Sequence, residues 1–192
     1  MVKVDLQFFG GRGTGSLTST FKNSNASSGG TTTEDLPARM NRMYNGNQMS
    51  QEHTIQTFKD AHLTSDTEHL IVFDDDGAVS VYRHGDSSSV SIDGIDLRGK
   101  TTLHNHPDSG WSHFSAGDLQ TWADPYGEKR MVVTSRKADY TITKTSKFNS
   151  AGFLITMQNA KTKQTDYDKA VDAFLKRNAK KYGYTYTKKL NN

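Results

Sequence analysis

Two histidines and an aspartate lie close together in residues 102–118, a polar stretch that reads TLHNHPDSGWSHFSAGD. His104 and His106 are two positions apart, so at the end of a strand their side chains point to the same face of a sheet. Pro107 has no N–H to give to a sheet ladder, and we expect the strand to stop there. The spacing therefore predicts that both imidazoles can bind one ion.

A helix is expected to begin after this loop. Ser115 is a favoured N-cap residue, and Asp118 then falls in the first turn. A strand end with two histidines, opposite a helix start with one aspartate, brings three metal ligands together. With a water in the fourth position, three such ligands form the open tetrahedral site of catalytic zinc. We predict that His104, His106 and Asp118 bind Zn²⁺.

This stretch resembles the metal-binding motif of the JAMM/MPN family of zinc metalloproteases, which consists of His-x-His-Pro, a short loop and Ser-x-x-Asp. Its His-Asn-His-Pro form is similar to that of the bacterial and phage-encoded branches, including RadC-like proteins. The resemblance covers about residues 66–145. It implies that His104, His106 and Asp118 are zinc ligands, that Ser115 is the motif serine, and that the reaction is hydrolysis of a peptide or isopeptide bond.

The family also has a glutamate on an earlier strand, and Glu68 is the matching candidate in this chain. The resemblance implies that Glu68 takes a proton from zinc-bound water and passes it to the leaving amine. It also implies that the Ser115 hydroxyl helps to hold the oxyanion. Both residues have simpler alternatives, because Ser115 can be a helix cap only and Glu68 can be a solvated residue at the start of a strand.

The loop of residues 108–114 is one residue longer than the family pattern. Its His113 could therefore compete with the other histidines as a ligand. Asn105 is expected to shape the loop. Trp111 and Phe114 are candidates for a wall that faces the substrate, although Trp111 can equally be a packing residue.

The composition limits the chemistry. The chain has no cysteine, which excludes disulfides, a cysteine nucleophile and cysteine-bound zinc, so a metal must use histidine and carboxylate. The formal charge is only +3, from 24 basic and 21 acidic residues, which is too small to indicate nucleic-acid binding. The sequence contains no run of about 18 apolar residues, so we expect no membrane span.

Residues 1–49 differ in composition from the rest of the chain. Gly, Ser, Thr and Asn dominate residues 10–33, and such a segment buries too little apolar surface to offset the entropy of ordering it. We expect a flexible tail there and one domain over residues 50–192. The opening letters LQFFGGRG resemble the N-termini of phage head-region proteins, and the first nine residues lack the apolar core of a secretion signal.

Two functions remain open from the sequence, besides a nucleic-acid binder that rests only on mild basicity and the Lys-rich C-terminal residues. The first is a zinc-dependent hydrolase, phage- or prophage-encoded, that acts on a protein or peptide substrate. The second is a non-catalytic module, associated with a phage head or with another partner, that keeps the fold and binds phage structural proteins. Both place the protein in the host cytoplasm or in the virion, and neither needs nucleic acid or a membrane.

Hydrophobic periodicity predicts an α+β (mixed α/β) fold with a central sheet flanked by helices. The resemblance implies a mostly antiparallel sheet of the JAMM/MPN (cytidine-deaminase-like) architecture. Helices are expected from Ser50, after Asp118 and over residues 165–181. Strands are expected over residues 67–73, 78–83, 100–104, 129–134, 138–143 and 184–188. Residues 87–92 are a further strand candidate, and residues 153–157 fit either a helix or a strand.

Overall fold

The structure is a computed structural model in which residues 50–74, 77–108, 110–160 and 166–191 are described. The predicted tail, residues 1–49, lies outside the described residues. The helices of the described part are α1 (Gln51–His62), α2 (Ala116–Ala123), α3 (Ser150–Asn159) and α4 (Tyr167–Tyr182). Its strands are β1 (His69–Phe73), β2 (Val79–His84), β3 (Thr101–Asn105), β4 (Arg130–Thr134), β5 (Ala138–Lys144) and β6 (Tyr184–Leu190).

The six strands form one sheet in the order β2-β1-β3-β4-β5-β6. β3 and β4 are parallel, and every other neighbouring pair is antiparallel. A parallel pair needs a crossover connection, and α2 lies in the crossover between β3 and β4. The predicted mixed fold with a mostly antiparallel sheet and flanking helices is confirmed.

The first helix begins where the sequence predicts it. The Ser50 hydroxyl accepts a hydrogen bond from the His53 N–H, so one of the unpaired donors of the helix start is satisfied. The buried residues Thr54, Phe58 and His62 recur every four positions and form the stripe that packs on the sheet. No helix in the described ranges is long and apolar enough to cross a membrane.

Apolar side chains cover both faces of the sheet. On one face, Phe58 of α1 packs with Leu103 and Val132. On the other face, a larger cluster joins β4 and β5 to the remaining helices; it includes Phe114, Leu119, Trp122, Met131, Val133, Tyr140, Phe153, Val171 and Leu175. Successive side chains of a strand alternate between the faces, so Leu103 faces α1 and His104 faces the larger cluster. Each fully buried side chain of this kind contributes about 1.5–3 kcal/mol, so packing on both faces holds β3 in place.

Residues 87–92 do not form a strand. The guanidinium of Arg83 donates hydrogen bonds to the carbonyls of Ser91 and Asp93, at 2.9 and 2.7 Å. The bond to Ser91 occupies a backbone acceptor within this segment that a sheet ladder would use. Residues 153–157, which fitted either type of element, lie in the helix α3.

The glycine that ends α4 offers a test of the fold. Gly183 has a φ angle of 72°, and a Cβ at this position would lie 2.5 Å from the Lys147 carbonyl oxygen. We expect Gly183→Ala to lower the free energy of unfolding by about 1–2 kcal/mol through the left-handed backbone, and by a further amount through the contact with Lys147. Urea denaturation measures both effects together.

Gly94→Ala is the matched control. Gly94 has a φ angle of 75°, but a Cβ there would have no heavy atom within 4 Å. This variant should therefore lose only the backbone contribution. Equal losses of stability in the two variants would contradict the close approach of Lys147 to Gly183.

Candidate metal centre

The two histidines lie at the end of the central strand. His104 is the penultimate residue of β3, and His106 follows its last residue. β3 is paired with β1 on one side and β4 on the other, and the His106 N–H extends the second pairing by donating to the Thr134 carbonyl at 2.8 Å. The strand ends before Pro107, as predicted. Both imidazoles therefore project from a backbone that hydrogen bonds hold in the sheet.

Asp118 is held in place at the start of α2. The Ser115 hydroxyl accepts a hydrogen bond from the Asp118 N–H at 3.1 Å. In return, the Asp118 carboxylate oxygen Oδ2 accepts from the Ser115 N–H at 2.6 Å. This reciprocal capping box confirms the predicted helix start. It also orients the carboxylate, because one of the two oxygens is tied to the backbone.

The side-chain nitrogens and oxygens of the three predicted metal-binding residues lie close together. Nε2 of His104 lies 3.2 Å from Nε2 of His106. Oδ1 of Asp118 lies 3.4 Å from the His104 nitrogen, and Oδ2 lies 3.4 Å from the His106 nitrogen. In a tetrahedral site with metal–ligand bonds of about 2.0–2.1 Å, the ligand atoms are separated by roughly 3.3–3.4 Å. With one ligand atom from each residue, the three atoms lie within 4.8 Å of one another, so the group has the donor types of a metal site and could hold an ion.

The ionisable side chains of the same three residues are largely buried. His104 and His106 are 4% and 7% exposed, and the side chain of Asp118 is 18% exposed. Burial disfavours a charged His106, but the hydrogen bond with Asp118 and the Asp118 charge outweigh it and raise the pKa of His106 to about 9. Burial likewise opposes ionisation of Asp118, yet the two histidines lower the pKa of Asp118 well below its ordinary value. A positive charge between these side chains is therefore stabilised.

Comparison with known proteins does not assign this arrangement to a family. No family model matches the chain. Neither the curated proteins nor the solved structures give a match. The interpretation of the site therefore depends on its geometry, its charges and the motif in the sequence.

Glu68 lies beside the predicted metal ligands, one residue before β1 rather than within the strand. Leu70 is opposite His104 in the antiparallel β1–β3 pairing, so the same register, extended by two residues, places Glu68 opposite His106. Glu68 is 9% exposed, which excludes the solvated alternative. Burial raises the pKa of Glu68, and the charges of His106 and His104 act against this rise. The structure thus brings Glu68 within electrostatic reach of the predicted ligands.

His113, the alternative ligand, does not belong to this group. Its Nδ1 accepts a hydrogen bond from the Phe114 N–H at 2.8 Å, and its Nε2 lies 2.8 Å from the Tyr186 hydroxyl. Because Nδ1 is an acceptor, the ring is neutral and donates from Nε2 to Tyr186, whose hydroxyl donates onward to Asp172. Both ring nitrogens are therefore used within the core, and burial lowers the pKa of His113 to about 3.

The two aromatic residues of the loop are packing residues. Phe114 is fully buried in the larger core cluster, so the prediction that it faces a substrate is wrong. Trp111 stacks on Tyr167, with ring centroids 4.3 Å apart. The Tyr167 hydroxyl also donates to the Phe114 carbonyl at 2.8 Å. The helix α4 thereby holds the loop that connects the histidines to Asp118.

One buried acid near the site was not predicted from the sequence. Glu128 is 1% exposed, and its Oε1 accepts a hydrogen bond from the Thr102 hydroxyl at 3.1 Å. Its Oε2 has no hydrogen-bond partner among the described residues. Burial raises the pKa of Glu128 to about 7, while its hydrogen bonds and the charges of Lys144 and His104 act against the rise. In the sequence, this glutamate reads as part of a solvated turn before β4.

Removal of one imidazole should strongly weaken metal binding. His104→Ala deletes one of the three ligand atoms, so we expect the affinity for Zn²⁺ to fall by more than the roughly 10–100-fold that follows loss of an outer-shell contact. His113→Gln should keep the wild-type affinity, since neither nitrogen of that ring faces the group. Titration of chelator-treated protein with Zn²⁺ against a fluorescent competitor measures both variants. Weak binding by His113→Gln, or tight binding by His104→Ala, would assign the ion to other residues.

His113 should make the fold sensitive to acid. Its pKa is lowered from 6.5 to about 3 in the folded chain, so below pH 6.5 the unfolded chain binds more protons. The contribution of this residue to stability is therefore complete above pH 6.5 and declines as the pH falls from 6.5 towards 3. Its share of the slope approaches about 1.4 kcal/mol per pH unit. Urea denaturation between about pH 7 and 5 should show a shallower decline for His113→Gln, and equal slopes would contradict the neutral buried ring.

Proposed function

We propose that the chain is a zinc-dependent hydrolase of peptide or isopeptide bonds, of the JAMM/MPN type. One observation supports it above all: the residues that match the motif, His104, His106 and Asp118, are those that can each place one ligand atom within 4.8 Å of the other two. Motif and geometry are separate lines of support, because the spacing of letters in a sequence does not by itself bring the aspartate to the histidines. The mixed sheet with flanking helices is compatible with the proposal.

Zinc is the proposed ion because of the donor set. Two imidazole nitrogens and one carboxylate oxygen suit Zn²⁺, whereas Mg²⁺ and Ca²⁺ prefer oxygen ligands. Three protein ligands leave one coordination position open, as in catalytic zinc sites. When bound there, zinc lowers the pKa of a water to about 7 and polarises a substrate carbonyl.

Glu68 is the proposed general base. Its carboxylate is buried beside His106, and its raised pKa brings proton uptake closer to neutral pH. In the proposed reaction, Glu68 accepts a proton from the water that attacks the carbonyl carbon. It then delivers this proton to the leaving amine as the C–N bond breaks. The residue ends the cycle as a carboxylate, as it began.

Ser115 is proposed to donate a hydrogen bond to the substrate. Its hydroxyl oxygen accepts a hydrogen bond from the Asp118 N–H. The hydroxyl can still donate its own proton in a second hydrogen bond. In the proposal it is aimed at the oxyanion that develops on the substrate carbonyl, where one such donor contributes about 3–4 kcal/mol. Ser115 would thus combine its structural role as a helix cap with a catalytic role.

Glu68→Gln should separate chemistry from metal binding. Glutamine has nearly the same size but cannot accept the proton, so we expect cleavage to fall by about 10²–10⁴-fold while the zinc content stays at the wild-type level. The substrate probe is a proteome-derived library of linear peptides, supplemented with peptides branched through a lysine isopeptide bond. Mass spectrometry identifies new termini, and elemental analysis of the same samples measures zinc.

Glu52→Gln is the matched control, because Glu52 is an exposed glutamate in the first turn of α1. It should cleave at the wild-type rate. Equal cleavage by wild type and Glu68→Gln would assign the base to another residue. Zinc-loaded wild-type protein that cleaves neither class of bond would contradict the hydrolase and favour a non-catalytic interaction module.

A further inference from the structure

Asn105 lies between the two histidine ligands, and its side-chain amide reaches across to the segment that carries Glu68. Its Nδ2 donates to the Thr67 carbonyl at 3.0 Å, and its Oδ1 accepts from the His69 N–H at 2.6 Å. Asn105 is fully buried. The amide therefore binds the backbone on both sides of Glu68.

The sheet geometry explains why a side chain is used here. The backbone pairing of β1 with β3 ends at Leu70 and His104. One residue further out, the His69 N–H is bonded to the Asn105 side chain in place of a ladder partner. The primary amide has N–H donors and a carbonyl acceptor, as peptide groups do, so it continues the connection between the two strands.

The segment around Glu68 is also held from the β2 side. The Glu68 N–H donates to the Asp86 carbonyl at 2.7 Å, and the Glu68 carbonyl accepts from the Gly85 N–H at 2.8 Å. These bonds hold Glu68 against the end of β2, but they do not fix its distance from the metal ligands. The Asn105 amide fixes this distance, because Asn105 is the residue between His104 and His106 in the chain.

The His69 ring anchors the segment on the opposite face of the sheet. Its Nδ1 lies 2.8 Å from the Tyr82 hydroxyl, and its Nε2 lies 2.9 Å from the Ser65 hydroxyl. Because side chains alternate along the strand, the ring points away from the face of Glu68. The Asn105 amide therefore binds a segment that the hydrogen bonds of the His69 ring already hold on the face opposite Glu68.

We propose that Asn105 is the positioning residue for Glu68. By spanning Thr67 and His69, it sets the distance between the Glu68 carboxylate and the group formed by the two histidines and Asp118. This inference rests on the proposed hydrolase function. It assigns Asn105 no contact with substrate or metal; the residue acts through Glu68.

Asn105→Ala leaves the Thr67 carbonyl and the His69 N–H without this partner, and the Glu68 carboxylate is expected to move. Loss of a comparable outer contact, or a shift of about 1 Å at a reacting group, reduces turnover by roughly 10–100-fold. We expect this loss in kcat on a peptide selected from the library, with an unchanged KM and an unchanged affinity for Zn²⁺. Asn105→Asp, which keeps the size and the acceptor but lacks the donor, should also lose kcat and serves if the alanine variant does not fold.

Asn178→Ala is the matched control. Asn178 is 8% exposed and donates from its side chain to the Phe174 carbonyl within α4, away from the metal ligands. This variant loses a buried asparagine of the same kind and should keep the wild-type kcat. A loss of kcat equal to that of Asn105→Ala would show that any buried asparagine has this effect, and would overturn the proposal.

A double variant separates positioning from a general structural role. If Asn105 acts through Glu68, then adding Asn105→Ala to Glu68→Gln should cause no further loss of kcat. Independent, multiplying losses would overturn the proposal, because they would mean that Asn105 affects turnover by another route.

Amide hydrogen exchange tests the same contact without a substrate. The His69 N–H should exchange at least about tenfold faster in Asn105→Ala than in wild type or Asn178→Ala, and unchanged protection would overturn the proposal. This measurement also distinguishes failure of the proposed role of Asn105 from failure of the proposed hydrolase function. If Glu68→Gln cleaves as fast as wild type, the proposed base is wrong, while the exchange rate still decides whether Asn105 fixes the segment.

Discussion

One carboxylate, that of Asp118, connects the fold to the candidate site. Its Oδ2 closes the capping box at the start of α2, and its two oxygens lie 3.4 Å from the nitrogens of His104 and His106. A negative charge in the first turn of a helix is favoured by the helix dipole, and the adjacent imidazoles favour the same ionised form. The helix start therefore supplies the charge that the histidines need, so the stability of α2 and the affinity for a cation depend on the same side chain.

The acids around the histidines determine what kind of ligand this region can accept. Asp118, Glu68 and Glu128 are all shielded from water and all interact electrostatically with His104. Buried carboxylates of like charge oppose one another unless positive charge lies between them. Protons can supply it, as the raised pKa of His106 indicates. A divalent cation supplies it more compactly, and its binding would compete with those protons.

Features set by neighbouring residues could be predicted from the sequence, and features set by distant contacts could not. The cap at Ser115 depends on residues within one turn, and it was predicted. The metal group was predictable for a similar reason, because its ligands come from consecutive elements joined by one loop. Whether His113 could bind a metal was set by its contact with Tyr186, which is 73 positions away in the chain. The bonds of Asn105 to the segment around Glu68 span 36 and 38 positions, and no local pattern distinguishes it from an ordinary loop residue.

The ligands and the proposed base are attached to parts of the sheet that differ in their protection. His104 belongs to a strand with a partner on each side, while Glu68 precedes β1 and leans on the end of β2, which is an edge strand. Segments with fewer strand partners open at lower free energy than central strands do. Gentle warming would then release the acid before the histidines, so a protein with an ion in the candidate site would retain this ion after the proposed turnover had stopped. Metal content would be a poor proxy for an active preparation of such a protein.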